Sequence, residues 1–146
     1  MTGVVKLMRD FAEFEKLGEY CKITEEKLSK AMFGQGSFVE AIVAVENGSL
    51  IGYAIFYPHF ASFRGQIGYY LEDIFIKDEF RGKGLGEFML RTIAKIASDR
   101  GFERIDFQVL DWNTPAVNFY KKLGADRDES ERHFKFTDAA FRSLAS

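Results

Sequence analysis

Apolar residues recur at three- and four-residue intervals from the start of the chain, at Val4, Leu7, Met8, Phe11 and Phe14. This spacing predicts an amphipathic helix already under way at the first residues and running to about Leu17. Thr24 ahead of Glu25 and Glu26 has the form of an N-cap with acids in the first turn. It opens a second helix that ends near Phe33, before Gly34 and Gly36. The period then changes. Glu40 to Val45 and Leu50 to Tyr57 are β-branched, apolar and aromatic around Glu46-Asn47-Gly48-Ser49, so an antiparallel hairpin is expected. A loop over 58–66 leads to a long strand, Ile67 to Ile76, which carries Glu72 and Asp73 in apolar company. From Leu85, the positions Phe88, Met89, Ile93, Ile96 and Ala97 mark one face of a helix that closes at Asp99-Arg100-Gly101. Ile105, Phe107 and Val109 alternate with Asp106 and Gln108 as a further strand. Asn113 or Thr114 caps a short helix with Pro115 in its first turn and Gly124 past its end, and a last strand is expected at His133 to Phe136. The order predicts an α/β fold, a mixed and mostly antiparallel sheet in one layer with helices packed on it.

Composition narrows the class. At 146 residues, residues 1–146 are expected to form a single domain, and 47% hydrophobic residues with 16 Phe exclude a disordered chain. Twenty Lys+Arg against 22 Asp+Glu give a net charge of −2, without the basic field that nucleic-acid binding needs, so any anion site is local. The longest apolar run, Leu50 to Tyr57, is far short of the roughly 20 residues of a membrane span, and Met1-Thr2-Gly3-Val4 leads into no signal-peptide core. A lone Cys21 closes no intramolecular disulfide, which suits a reducing compartment, and a cytoplasmic location is expected.

Three constellations bear chemistry. Arg81-Gly82-Lys83-Gly84-Leu85-Gly86 opens the long helix. Alternate glycines let the backbone approach a ligand, and helix N-terminal amides favour an anion such as a pyrophosphate. An ordinary glycine-rich turn gives the same local pattern. The segment is neither a Walker loop, lacking the Lys-Ser or Lys-Thr, nor a dinucleotide fingerprint, since its third glycine comes one residue early. The second constellation is Glu72-Asp73. Adjacent strand residues point to opposite faces, so one of the two carboxylates is expected to face inward, where desolvation and a like charge raise its pKa towards that of a general base. The alternative is a strand-end salt bridge with Arg81 or Lys77. The third is Asp111 to Ala125, where Tyr120 brings a phenol that can donate a proton, or simply packs. His59 and His133 have no paired metal-ligand spacing, and the charged run Asp126 to Arg132 reads as a solvated loop.

In this order and spacing the three resemble the GNAT superfamily of acetyl-CoA-dependent N-acetyltransferases, whose Arg/Gln-x-x-Gly-x-Gly/Ala motif is met by Arg81, Gly84 and Gly86. Within it, the stretches Tyr70 to Ile76, Phe80 to Gly86 and Val109 to Tyr120 are similar to the spermidine/spermine (diamine) and thialysine N-acetyltransferase branch. The resemblance implies the GNAT fold, although the N-terminal edge strand usual there has no counterpart ahead of the first helix. It also implies acetyl transfer to the primary amine of a small polyamine or a lysine-like substrate, by direct attack in a ternary complex. A primary amine with a pKa of about 10.4 costs about 4.6 kcal/mol to neutralise at pH 7, so a base is useful. Glu72 matches that base, acting through a water, and Tyr120 matches the acid that protonates the leaving thiolate. The backbone N–H of Ile74 matches the group that holds the acetyl oxygen, with Phe75 and Ile76 beside it along the cofactor. Arg81 and the amides from Gly82 through Lys83, Gly84, Leu85, Gly86 and Glu87 match the pyrophosphate site, and Asn113 lines the cofactor arm. Glu15 and Asp73 match positions that bind a cationic tail alongside Glu72. No metal is implied, and a homodimer is. Two alternatives stand beside this reading: a catalytically silent acetyl-CoA-binding module, and a protein or peptide lysine acetyltransferase.

Overall fold

Asn47 and Gly48 both take positive φ, 49° and 78°, as a type I′ turn requires, and they join strands β1 (Glu40–Glu46) and β2 (Ser49–Ala61) into the expected hairpin. The computed structural model describes all 146 residues and continues β2 antiparallel into β3 (Gln66–Ile76), with β4 (Arg104–Phe107) parallel beside β3, giving the order β1-β2-β3-β4. The loop expected at 58–66 shrinks to a single turn, Ser62–Arg64 followed by Gly65. The reason lies in β1, which begins only at Glu40, opposite Phe56. Pro58 therefore sits where β2 has no neighbour on that side, and its missing N–H removes no ladder bond there.

Helices α1 (Thr2–Phe14), α2 (Glu25–Phe33) and α3 (Leu85–Asp99) flank the sheet. Thr24 caps α2 by accepting the Lys27 N–H at 3.2 Å. Residues alternate along β2, and the two sides of the sheet bury different clusters. Ala54, Phe56, Tyr69 and Leu71 pack with Met89, Ile93 and Ala97 of α3. Tyr53, Ile55 and Phe75 pack with Val5 and Leu7 of α1 and Leu28 of α2.

Two compact units divide the chain, Met1–Gln108 and Val109–Ser146. The second carries α4 (Thr114–Lys122) and α5 (Asp138–Ala145). The strand expected at His133 to Phe136 is absent. Phe134 and Phe136 are 86% and 67% exposed, and their unit contains no strand for them to pair with. The alternation of His133 to Phe136 was a strand signal without a ladder, and α5 forms after it instead.

Candidate active site

One extra residue in β3 shapes the site. Tyr57 pairs with Tyr70 and Phe56 with Leu71, but Ile55 pairs with Asp73, so Glu72 is the unpaired residue of a β-bulge. Before the bulge Tyr69 and Leu71 face α3. After it Phe75 faces α1, two residues on from Asp73. Strict alternation would have sent Glu72 and Asp73 to opposite faces, and the bulge corrects that expectation: both carboxylates lie on the α1 side. The Tyr53 hydroxyl donates to Asp73 Oδ2 at 3.0 Å, and the Tyr57 hydroxyl donates to Glu72 Oε2 at 3.3 Å.

The two acids sit in different surroundings. Glu72 is exposed. Burial pushes the Asp73 carboxyl up to about 6, the Glu72 charge adds to this, and the Tyr53 hydrogen bond opposes it. Burial also raises Glu15, with Asp73 as the second cause, which places Glu15, at the end of α1, within reach of the Asp73 charge. The Tyr53 phenol is pushed well above its ordinary range by burial, then by Asp73, with Cys21 and Glu15 adding smaller effects. Tyr57 is raised to about 12 by burial and by Glu72. Neither Arg81 nor Lys77 forms the strand-end salt bridge weighed for these acids. Arg81 pairs with Asp78 at 3.2 Å, lays its guanidinium 4.3 Å from the Phe14 ring centre, and donates from Nε to the Ile76 carbonyl at 2.8 Å.

That last bond orients an open edge. β3 leaves its last pair with β4 at Leu71 and Phe107, while Glu72 to Ile76 continue along β2 alone. The Lys77 N–H is spent on the Ile51 carbonyl at 2.9 Å, so by alternation the N–H groups of Ile74 and Ile76 point away from β2. Ile74 thus presents an amide where a carbonyl oxygen can be held, whereas the Phe75 backbone turns towards β2 and its side chain into the core.

Beyond the strand, Gly82 and Gly84 take φ of 76° and 81°, and a Cβ on either would meet nothing within 4 Å, so the backbone here is open to a ligand. Gly84 caps α3 without a side chain. The N–H groups of Leu85, Gly86 and Glu87 have no intrahelical acceptor, a donor set that fits a pyrophosphate. Lys83 lies over the Phe80 ring at 5.7 Å, and Glu87 pairs with Arg91 at 2.8 Å.

In the second unit, Asn113 caps α4 by accepting the Ala116 N–H at 3.4 Å. Tyr120, half-buried, lies in the last turn of α4. Its carbonyl accepts the Ala125 N–H at 3.1 Å, and Gly124 N–H bonds Lys121, the Schellman closure foreshadowed by Gly124.

Sequence reasoning passed over one further group. His59 Nε2 lies 2.8 Å from Asp106 Oδ2, and Asp106 Oδ1 accepts from Arg104 Nε and Nη2 at 3.1 and 2.9 Å. His59 follows Tyr57 by two along β2 and Asp106 faces Tyr70, so period-two counting alone sets both on this face. Three residues on one face of strand β2 therefore each meet an acid: Tyr53 with Asp73, Tyr57 with Glu72, His59 with Asp106.

A bulged strand that leaves its parallel neighbour and runs into a glycine-rich helix start matches the arrangement implied by the resemblance in the sequence, and the comparisons with known proteins agree. The chain belongs to the acetyltransferase (GNAT) family, whose profile matches residues 5–125. It is 37% identical over 154 residues to a thialysine N-epsilon-acetyltransferase of Sus scrofa, covering 98% of this chain and 90% of that protein. It is also 37% identical over 93 residues to an L-ornithine N5-acetyltransferase of Arabidopsis thaliana, over 64% of this chain and 41% of the relative. Among solved structures, an integron cassette protein from the mobile metagenome of V. cholerae superposes with a TM-score of 0.81 at 25% identity, over 98% of this chain and 90% of that one.

Proposed function

We propose that residues 1–146 act as one catalytic domain that transfers the acetyl group of acetyl-CoA to a primary amine of a small polyamine or a lysine-like amino acid such as thialysine. The observation that carries this reading is the bulge, which turns Glu72 and Asp73 to one face, while Glu15 at the end of α1 is near enough for the Asp73 charge to raise it, so an ammonium group meets acids there. Similarity to enzymes named for thialysine and ornithine supports an amino acid with a side-chain amine.

Glu72, at the exposed position, takes the proton of the ammonium through a water, while Asp73 and Glu15 hold the cation. When bound, acetyl-CoA supplies the acetyl group as a thioester. Arg81 and the amides from Gly82 to Glu87 hold its pyrophosphate, Asn113 borders its arm, and the Ile74 N–H donates to the acetyl oxygen. Tyr120 Oη donates a proton to the leaving sulfur. None of these steps calls for a metal. A single cysteine supports a cytoplasmic setting, and no helix is long and apolar enough to cross a membrane. The exposed Phe134, Phe136, Phe141 and Leu144 support a homodimer.

Thiol release from acetyl-CoA is the test, read against spermidine, spermine, putrescine, thialysine, lysine and a lysine peptide. Turnover of at least one free amine is expected. Turnover of the peptide alone assigns a protein acetyltransferase, and acetyl-CoA binding without turnover of any amine assigns a silent binding module.

A further inference from the structure

We propose that His59, Asp106 and Arg104 form a head site for the α-ammonium and α-carboxylate of an amino-acid substrate, so that the chain selects an amino acid over the diamine lacking its carboxylate. This rests on the acetyl-transfer reading above and names the substrate class of the same face.

The charge order along that face comes first. Glu15, Asp73 and Glu72 gather at one end, where the reacting amine is received. At the other end stand Arg104 and His59, on either side of a single carboxylate, Asp106. Two donors flanking one acid complement a zwitterion: Asp106 meets the ammonium, and the guanidinium and imidazole meet the carboxylate. A diamine brings no anion to such a cluster. The side chains of His59, Asp106 and Arg104 are 36%, 27% and 31% exposed, within reach of a ligand yet partly shielded from water. Gln66 accepts from Arg104 Nη1 at 3.3 Å and steadies the guanidinium from the third side.

The second observation is the spacing. Tyr70, directly opposite Asp106, lies two residues from Glu72, about 7 Å along a strand, close to the reach of a lysine-like side chain. Between the two ends the Tyr57 and Tyr70 rings stack at 5.4 Å, with the Phe38 ring against Tyr57 at 5.7 Å and His59 against Tyr70 at 5.9 Å, an apolar floor for methylenes.

The third is Gly68. His59 on β2 meets Asp106 on β4 across β3, at the level where β3 carries Gly68. A Cβ there would stand 2.1 Å from the Arg104 carbonyl oxygen, so only glycine lets β4 come this close and bring Asp106 to His59.

Calorimetric titration of the full chain with L-lysine against cadaverine, and L-ornithine against putrescine, isolates the carboxylate. Wild-type protein is expected to bind each amino acid about ten-fold more tightly than its diamine, the size of one charge-assisted contact. In His59→Gln and Arg104→Gln that ratio falls towards one while diamine affinity holds; two variants guard against one of them misfolding. Equal affinities in the wild type, ratios unmoved in both variants, or no binding of any of the four would overturn the head site. The two readings fail separately. Thiol release with a ratio of one removes the head site and keeps acetyl transfer, whereas an intact ratio with no thiol release does the reverse.

Discussion

The α1-facing side of the sheet has two halves, built from the same two strands and finished differently. In one, Tyr53, Ile55 and Phe75 lie under Val5, Leu7 and Leu28, all at most 7% exposed. In the other, Tyr57, Tyr70, His59 and Glu72 are at least part-exposed. Glu72 and Asp73 straddle the boundary. They are neighbours in sequence and share a face, yet Asp73 is lifted to about 6 by burial while Glu72 stands in solvent beside Tyr57. A single inserted residue therefore does what side-chain chemistry alone does not: it gives two adjacent acids one direction and two environments.

Deleting Glu72 is the strongest way to break this comparison. Leu71 and Asp73 would then pair with Phe56 and Ile55 in an uninterrupted ladder, so the protein should fold, yet turnover should fall by about a hundred-fold or more. A circular dichroism melt with a thiol-release assay reads both. Glu72→Gln keeps the bulge and should lose most activity at low pH, where free amine is scarcest. Gly68→Ala should destabilise the chain by about 1–3 kcal/mol in urea unfolding, because its Cβ has to displace backbone of β4.

Asp73→Asn comes next. With its folded pKa raised to about 6, the native state binds more protons than the unfolded chain between roughly pH 4 and 6, so Asp73 costs stability as pH rises through that window. The variant should gain on the order of 1–2 kcal/mol at pH 8 and almost nothing at pH 4. Its KM for the amine should rise, and it should lack the increase in KM expected of wild type as pH falls through about 6 and Asp73 becomes neutral. Tyr53→Phe is the finest test. It removes the hydrogen bond that lowers Asp73, so the carboxyl should titrate higher by up to about one unit in NMR, with the fold intact.

Much of the frame was legible in the sequence. Asn47-Gly48, the Thr24 cap and the Gly101 and Gly124 closures fall where expected, because each is a local rule enforced within a few residues. What was hidden depends on pairing. Pro58 looked like a strand end because nothing in its neighbours says that β1 begins only at Glu40. That Glu72 and Asp73 share a face was missed because a bulge is a property of two strands, although one carboxylate, Asp73, is desolvated by burial as expected. His133 to Phe136 alternated convincingly and found no ladder within its unit. The His59–Asp106 pair was invisible because 47 positions separate its members and a glycine on a third strand lets them meet.

The three residues on one face of β2 that each meet an acid have one more consequence. Tyr53, Tyr57 and His59 share a pleat, so a slip of β2 by one position would turn all of them to the α3 side at once. What keeps them in step with β3 is burial on both sides of β2, Tyr53 and Ile55 on one and Ala54 and Phe56 on the other. The three contacts are thus one register read three times, and a variant that shifted the pairing of β2 against β3 should lose all of them together rather than one by one.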